Sequence, residues 1–224
     1  MAYQNSPRII TDSLVLCLDA GNRKSYPGSG TSWLDLTRNN NGTLTNSPTF
    51  SSANMGGIVF NGTNTYVSFG SITLSSTRTF IVWFKVNTSD ATYRRIVTFS
   101  ADDTGTDTAG YTLGVNNFAL NGGFGGSPYN GYVSMGTATS NTWVCIAQTI
   151  SGNVTLAYKN GVYVGTATNS GTVSLTTLGY LGRYNAFYNQ NLDGTISNFQ
   201  LYNRVLTGSE ILQNYNATKS RFGL

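Results

Sequence analysis

Histidine is absent from the sequence, and glutamate occurs once, as Glu210. The missing histidine excludes Ser-His-Asp and Cys-His catalytic arrangements, and it excludes metal sites built on imidazole. A retaining glycosidase needs two carboxyl groups about 5 Å apart, and the single glutamate leaves only aspartates to form such a pair. Inverting chemistry by two aspartates stays open on these grounds. We nevertheless expect a protein that is not an enzyme.

Charged residues are also scarce, at 10% of the chain against roughly 25% in typical globular domains. Glycine, asparagine, serine and threonine take their place, a composition typical of short strands joined by tight turns. With 14 Tyr, 11 Phe and 3 Trp the chain has enough apolar area for a core, so disorder is not indicated. The 13 basic residues are scattered, whereas nucleic-acid-binding proteins cluster them on one face. We predict no nucleic-acid partner.

Cysteine is limited to Cys17 and Cys145, and each lies inside an apolar run. This placement predicts buried free thiols, because cysteine packs as a small hydrophobic residue. The first residues lack a basic region followed by an apolar core, so no signal peptide is predicted. No apolar run is long enough to span a bilayer. We therefore expect no membrane insertion and folding in a cytoplasm.

Strand-like runs follow one another along most of the chain, with turn signals between them, a pattern typical of a sandwich or barrel. The run from Phe80 to Val86 is apolar on both faces, which predicts a strand in the middle of a sandwich. We predict an extended arm at 1–12, one sandwich domain at 13–216 and a tail at 217–224. The clearest predicted strands are Leu14–Leu18, Gly57–Phe60, Tyr66–Phe69, Thr79–Val86, Arg95–Ser100, Tyr111–Val115, Trp143–Ile150, Val154–Lys159, Val162–Thr166 and Thr195–Tyr202.

Two local signals are specific. Asn160-Gly161 between two strand-like runs predicts a two-residue type I′ hairpin, since both positions need positive φ. Thr207-Gly-Ser-Glu210 has the pattern of a capping box and predicts a short helix near the C-terminus. The predicted apolar face of that helix consists of Ile211, Leu212 and Tyr215. The three tryptophans, Trp33, Trp83 and Trp143, are expected in the core.

Four segments in order carry a resemblance to a known family. They are Leu16–Asn22, Ile58–Val67, the stretch from Trp143 through the hairpin to Val162, and Leu192–Ile196 continuing into Leu201–Ile211. Together they resemble the laminin-G-like and pentraxin-like branch of the concanavalin A-like fold. The resemblance implies an all-β, concanavalin A-like jelly-roll β-sandwich with one short C-terminal helix, and variable loops around a concave face.

The same resemblance implies a calcium site, but this sequence lacks most of the carboxylates. Asn61, with Asn64 or Thr65, replaces one expected acidic pair, Ser197 and Asn198 replace another, and Asp193 remains. A separate cluster, Asp102, Asp103 and Asp107, lies in a glycine-containing loop that holds a cation or is a solvated turn. We expect no cofactor and regard calcium as possible but dispensable, because losing anionic ligands weakens Ca²⁺ binding.

Two loops carry aromatic residues that no strand pattern requires. Exposed aromatics of this kind stack on sugars or anchor protein interfaces, and ordinary loop packing is the third interpretation. The candidate binding residues are Phe124, Tyr129 and Tyr132 in Gly122–Tyr132, and Arg183, Tyr184, Phe187 and Tyr188 in Arg183–Asn191.

The opening Leu18-Asp-Ala-Gly-Asn22 and the closing Gln213–Ala217 resemble stand-alone copies of this domain in phage virion proteins. The resemblance implies a virion structural protein, assembled in the host cytoplasm, that serves as a capsid decoration (cement) protein or a head or tail fibre component. Its partners would be capsid or tail proteins. A symmetric homo-oligomer is expected, most plausibly a trimer, with the arms reaching neighbours. The alternative is a carbohydrate-binding adhesin that contacts host surface glycans.

Overall fold

A computed structural model describes residues 7–88, 91–100, 103, 110–125, 131–169, 175–188 and 190–224. This part of the chain contains sixteen strands and one α-helix. The strands are β1 (Leu14–Asp19), β2 (Ser32–Trp33), β3 (Gly42–Thr45), β4 (Thr49–Ser51), β5 (Gly57–Asn61), β6 (Tyr66–Thr73), β7 (Thr77–Val86), β8 (Arg94–Ser100), β9 (Gly110–Asn116), β10 (Ala119–Gly125), β11 (Gly131–Thr137), β12 (Val144–Ser151), β13 (Val154–Lys159), β14 (Val162–Thr168), β15 (Thr176–Leu181) and β16 (Asp193–Tyr202). The α-helix, α1, spans Gly208–Thr218, and short 3₁₀ helices lie at Ala53–Met55 and Lys219–Phe222.

The strands form two eight-stranded sheets whose pairings are antiparallel. The first sheet has the order β14-β13-β12-β7-β16-β5-β4, with β1 also paired to β16. The second sheet has the order β11-β10-β9-β8-β15-β6-β3-β2. The predicted all-β sandwich with one short C-terminal helix is confirmed.

Strand β7 lies in the middle of the first sheet and is buried on both faces, as its sequence predicts. Phe80, Val82 and Phe84 belong to the main core between the sheets. The Phe80 ring stacks 4.2 Å from that of Tyr111 on β9, which joins the two layers. Each such side chain stabilises the fold by about 1.5–3 kcal/mol through removal from water.

The outer face of the first sheet carries a second core, which the C-terminal segment covers. Phe222 lies 4.2 Å from the Trp83 ring and 4.7 Å from the Trp143 ring, measured between ring centroids. The Trp83 indole Nε1 donates to Thr218 Oγ1 at 2.9 Å. Residues 217–224 therefore pack against the sandwich.

The N-terminal segment is also attached where it is described. Ile10 N donates to Asn214 Oδ1 at 2.7 Å, and Tyr202 Oη donates to the Ile10 carbonyl at 2.9 Å. Ile10 also packs against the second core. The domain division at residues 12 and 217 stays a prediction, but the described parts of both terminal segments are bound to the sandwich.

Both specific local signals are confirmed. Thr207 Oγ1 accepts from Glu210 N at 3.3 Å, and the Glu210 carboxylate accepts from Thr207 N at 2.8 Å. Asn160 and Gly161 have φ of 52° and 80°, and they join β13 to β14 through the pair Lys159 and Val162. Leu212, however, is 44% exposed, so the predicted apolar face of the helix was wrong at that position.

The cysteines are free and buried, and the three tryptophans are buried, as predicted. Six strands were missed by sequence reasoning: β2, β3, β4, β10, β11 and β15. The prediction of a loop over Gly122–Tyr132 was wrong at both ends, because 122–125 continue β10 and 131–132 begin β11. Residues 126–130 between them lie outside the described chain.

Candidate functional site

An open cleft of about 290 Å³ lies where three loops meet, close to the paired strands β6 and β15. The loops are the β3–β4 turn, the β5–β6 turn and the long β15–β16 connection. We call it the aromatic cleft. Its lining residues are Asn46, Thr63, Asn64, Tyr66, Arg183, Asn185, Ala186, Phe187, Tyr188 and Asn191.

The β5–β6 turn forms one wall, and Asn61 holds its shape. The Asn61 Oδ1 atom accepts from the backbone N–H groups of Thr63, Asn64 and Thr65 at 2.9, 3.0 and 3.2 Å. Asn61 Nδ2 donates to Asn64 Oδ1 at 2.9 Å. An asparagine side chain that satisfies successive backbone donors is the usual way to fix a tight turn. The wall is therefore preorganised.

Side-chain amides and one guanidinium tie the other loops to this wall. Asn191 Nδ2 donates to the Thr63 carbonyl at 2.6 Å, and Asn46 Nδ2 donates to the Asn64 carbonyl at 2.9 Å. Arg94 Nη1 donates to the carbonyl of Asn191 at 3.1 Å and lies 3.3 Å from that of Gly62. Three loops that are distant in sequence thus form one connected surface.

The floor is built on Arg183, whose side chain is only 11% exposed. Its Nη2 atom lies 2.6 and 2.7 Å from the two carboxylate oxygens of Asp103. The guanidinium carbon lies 4.3 Å from the Tyr66 ring centroid and 4.8 Å from that of Tyr180, within cation–π range. Burial, and after it the nearby Asp103 carboxylate, raises the pKa of Tyr180 to about 12. Arg183 is held firmly in place.

Asp103 also fixes the loop that follows Arg183, because its Oδ1 accepts from Ala186 N at 2.7 Å. The buried Asn185 side chain then accepts from the backbone N–H groups of Phe187 and Tyr188 at 3.1 and 2.9 Å. This turn presents Phe187 and Tyr188 to solvent, where they are 73% and 40% exposed. The two rings meet edge to face with centroids 5.1 Å apart.

The four predicted binding residues of Arg183–Asn191 differ from one another in exposure and in their distance from the cleft. Phe187 and Tyr188 are exposed at the cleft, and Arg183 lines its floor. Tyr184 is 7% exposed and lies under the Arg95 guanidinium at 4.6 Å, so it supports the loop.

The other predicted loop is not part of this cleft. Tyr132 lies on β11, in a register row that runs through Gly123, Thr112 and Thr98 to Tyr180. Four strand spacings separate the ends of this row, about 19 Å. The backbone of Phe124 lies on β10, its side chain is outside the described residues, and so is Tyr129. These three positions stay predictions.

The carboxylates considered for cation binding have protein partners where they are described. Asp103 pairs with Arg183, and Asp193 accepts from Asn87 Nδ2 at 2.9 Å and from the Thr88 hydroxyl. Asp102 and Asp107 lie outside the described residues.

The residues present at the calcium site that the resemblance implies fit a calcium ion poorly. The guanidinium of Arg94 already donates to loop carbonyls beside Asp193, and a second cation there would be repelled. Ser197 and Asn198 are buried, with the Ser197 hydroxyl donating to the Gly56 carbonyl and Asn198 Oδ1 accepting from Gln200. Among the described residues no group of three or more His, Cys, Asp or Glu side chains is placed to bind a metal. That calcium is dispensable stays a prediction.

Sequence reasoning did not select several residues that complete the cleft. Asn46, Asn185 and Tyr66 were not selected, and Asn64 was named only where a calcium-binding acid is expected. The three asparagines lie in three separate loops and Tyr66 begins β6, with no shared motif. The Ile58–Val67 segment was singled out as a calcium-site relic, and its turn was not connected to the aromatic residues at 187–188. The pairing of Asp103 with Arg183 spans 80 positions and leaves no local signal.

Comparison with known proteins identifies the family. Residues 61–212, about two thirds of the chain, match the model of the concanavalin A-like lectin/glucanases superfamily, Laminin_G_3. The chain therefore belongs to this family. No curated protein sequence matches it.

Solved structures share the fold at low sequence identity. The Trypanosoma rangeli sialidase is 15% identical with a TM-score of 0.72, and the match covers 95% of this chain but 34% of the sialidase chain. This chain thus spans about a third of the sialidase. Domain 4 of AbnA, a GH43 extracellular arabinanase from Geobacillus stearothermophilus solved with arabinotriose, is 18% identical with a TM-score of 0.67. That match covers 91% of this chain and 98% of the domain.

Within the described residues, no helix has the length and apolar character needed to cross a membrane.

Proposed function

We propose that the chain is a non-catalytic carbohydrate-binding module whose aromatic cleft recognises a surface glycan. The observation that carries the proposal is the exposure of Phe187 and Tyr188 on a braced turn beside a polar cleft. Exposed apolar patches that are rimmed by polar residues mark interaction sites or ligand-binding grooves. The AbnA domain, which has the same fold, was solved with a bound oligosaccharide.

The polar groups around the rings suit hydroxyl recognition. Asn46 and Asn64 are exposed, and within the described residues no hydrogen bond engages Asn46 Oδ1 or Asn64 Nδ2. The cleft thus offers an acceptor and a donor close to the stacking rings, and a sugar ring presents an apolar face and hydroxyl edges at once. Neutral amides bind hydroxyl groups without the desolvation cost of a charge. We infer a neutral or weakly charged sugar as the ligand.

The absence of turnover is part of the proposal. Glu210 caps α1 and is paired with Arg204 at 2.6 Å, so it is already engaged. Asp103, Asp193 and Asp35 each accept several hydrogen bonds from protein groups. Carboxylates committed to such contacts are unsuited to the paired acid and nucleophile roles of a glycosidase.

A glycan array tests the proposal. The labelled wild-type protein is expected to bind a restricted set of glycans, and the Phe187→Ala/Tyr188→Ala variant to lose them. Tyr163→Ala serves as the matched control, because Tyr163 is 51% exposed and is not among the residues that line the cleft. Binding that survives in the double variant, or an array without any bound glycan, would contradict the proposal.

A second candidate function, attachment to a virion as a decoration or fibre component, is supported by a different surface. Strand β14 lies at one edge of the first sheet, and Val162, Tyr163 and Val164 are 64%, 51% and 40% exposed. Charged residues and proline usually protect an exposed edge strand from pairing with another chain. The sequence of β14 contains neither. Such an edge fits a protein partner, either a neighbouring capsid or tail protein or another copy in the expected homotrimer.

Light scattering tests this second function. The wild-type protein is expected to have the mass of a trimer and to attach to virions that lack it. The Tyr163→Lys variant is expected to lose one or both properties, because a charge on the edge opposes strand or side-chain contact. A wild-type monomer that does not attach to virions would contradict the virion role and leave the glycan proposal standing.

A further inference from the structure

A second cleft, of about 750 Å³, shares no lining residue with the aromatic cleft. It lies between the turn that follows β1 and the segment that connects β2 to β3. Its lining includes three cationic side chains, Arg23, Lys24 and Arg38, and two leucines, Leu34 and Leu36. We call it the basic cleft.

Among the described residues that line the basic cleft, Asp35 is the only acidic one, and its carboxylate is engaged by protein hydrogen-bond donors. Asp35 is 3% exposed, and its two oxygens accept five hydrogen bonds. The donors are the backbone N–H groups of Cys17, Thr37, Asn39 and Asn40, at 2.8–3.1 Å, and the Thr37 hydroxyl at 2.6 Å. These bonds fold the segment into a rigid turn and leave the carboxylate no free side.

The three cations have no such partner in the part of the chain that the structure describes. Arg23, Lys24 and Arg38 are exposed, and none of them takes part in an ion pair with another described residue. Asp19, the acidic residue nearest to Arg23 in the sequence, is paired with Arg221 at 2.9 Å. The cleft therefore carries three uncompensated positive charges on a chain that has a net charge of only +4.

Arg38 has a backbone conformation that an arginine adopts at a cost. Its φ is 70°, in the left-handed region that favours glycine and asparagine, and an ordinary residue there costs about 1–3 kcal/mol. The turn itself is held by Asp35, so it does not need an arginine side chain. Strain retained at an exposed cation indicates that the side chain has a use.

The floor of the cleft is aliphatic. Leu34 and Leu36 are 41% and 37% exposed, on either side of the buried Asp35. None of the described residues that line this cleft is aromatic, so they offer no ring for a sugar to stack on. Interfaces between polypeptides combine an apolar core with a polar rim, are enriched in arginine and match positive with negative patches.

We propose that the basic cleft binds an acidic segment of another polypeptide. Carboxylates of the segment pair with Arg23, Lys24 and Arg38, and an apolar side chain of the same segment covers Leu34 and Leu36. Charge complementarity selects the partner and the aliphatic floor fixes its position. This site does not depend on the aromatic cleft, so either function is testable without the other.

Fluorescence anisotropy on the full chain tests the proposal. The probe is a labelled peptide of about ten residues, long enough to span the cleft in an extended conformation, in which aspartate and leucine alternate. A second peptide has asparagine in place of aspartate, and the competitor is a sulfated oligosaccharide. We expect the acidic peptide alone to bind, and the binding to weaken as salt rises, because exposed charges are screened.

Three variants locate the site. Arg38→Gly is expected to weaken peptide binding about two- to fivefold, as for one exposed charge pair, while the melting temperature stays the same or rises because strain is removed. Arg23→Gln with Lys24→Gln, added to Arg38→Gly, is expected to abolish measurable binding. Arg8→Gln removes the same charge at an exposed position that does not line the cleft, and it is expected to have no effect beyond a small change in overall charge.

Several outcomes would overturn the proposal. If the asparagine peptide bound with the same affinity as the aspartate peptide, the carboxylates would have no role in recognition. Unchanged binding in the triple variant would place the peptide elsewhere. Displacement of the peptide by the sulfated oligosaccharide, with tighter binding of that competitor, would assign the cleft to an anionic glycan. In each case the glycan-array result for the aromatic cleft would be unaffected.

Discussion

The two outer faces of the sandwich use the same residue types for opposite purposes. On the first sheet, Phe222 is 7% exposed and closes a second core over Trp83 and Trp143. At the second sheet, the loop after β15 holds Phe187 at 73% exposure, beside a cleft lined with amides. Aromatic content in the sequence therefore does not distinguish a core from a binding surface. The difference lies in the surroundings of each ring, because Phe222 packs between two tryptophans whereas the turn at Asn185 holds Phe187 in solvent.

The largest loss of stability is expected when the second core on the outer face of the first sheet is disrupted. Phe222→Ala is expected to destabilise the protein by about 3–5 kcal/mol, because the ring is buried between two tryptophans and leaves a cavity. Urea unfolding followed by tryptophan fluorescence measures this. Leu224→Ala is the control, since Leu224 is 47% exposed and should change stability little. Equal stability of the two variants would contradict the packing described for the C-terminal segment.

An intermediate effect is expected at Asp103, which braces the second face. Asp103→Asn leaves the Arg183 guanidinium without its charge partner and is expected to cost about 1–2 kcal/mol. The loop that carries Phe187 and Tyr188 should loosen, so glycan affinity should fall more than for a change outside the cleft. Thermal melting and titration calorimetry on the same variant separate the two readouts. A normal glycan affinity in Asp103→Asn would remove the bracing role.

A smaller effect on stability, with a large one on binding, is expected at the exposed rings. Phe187→Ala should change the free energy of unfolding by less than about 0.5 kcal/mol, as for other exposed side chains. Removal of an aromatic side chain that stacks on a ring of the ligand typically weakens the binding free energy by about 1–3 kcal/mol. Chemical denaturation and titration calorimetry measure the two quantities. A loss of stability close to that of Phe222→Ala would show that the two faces do not differ as described.

The smallest effect concerns Glu210 at the start of α1. Hydrogen bonds from Arg204 first, and then from Thr207, lower the pKa of Glu210 from 4.5 to about 2. A carboxylate with a lowered pKa contributes stability that is complete above pH 4.5 and is lost as pH falls toward 2. Glu210→Gln is expected to cost about 0.5 kcal/mol at neutral pH, and the difference should disappear near the lower pKa.

Melting curves across this pH range test the assignment. Asp12→Asn is the control, since Asp12 is 76% exposed though it also pairs with Arg204, and little change is expected. A difference in melting temperature between wild type and Glu210→Gln that stays constant at all pH values would contradict the stabilising role of the ionised Glu210.

Much of the fold was predictable because its signals are local. The capping box, the Asn160-Gly161 hairpin and the two-sided burial of Phe80–Val86 each depend on a few neighbouring residues. Short polar strands such as Thr49–Ser51 carry no such pattern and were missed. The glycines of Ala119–Gly125 indicated a loop, yet the backbone of this segment pairs on both sides.

The site was only partly predictable, because its geometry depends on long-range contacts. Phe187 and Tyr188 were candidates on composition, and the structure exposes both at the cleft; that they bind a ligand stays a prediction. The fixed position of Arg183 depends on Asp103, and the opposite wall depends on the Asn61 turn. None of these pairings follows from spacing in the sequence. The strain at Arg38 is likewise a property of the folded turn.

The central claim is that the aromatic cleft binds a glycan through Phe187 and Tyr188. Titration calorimetry of the strongest array glycan into wild type, Phe187→Ala/Tyr188→Ala and Tyr163→Ala tests it most directly. We expect one site per chain in wild type and Tyr163→Ala, and no measurable heat of binding in the double variant. Binding of equal affinity in all three proteins would contradict the claim.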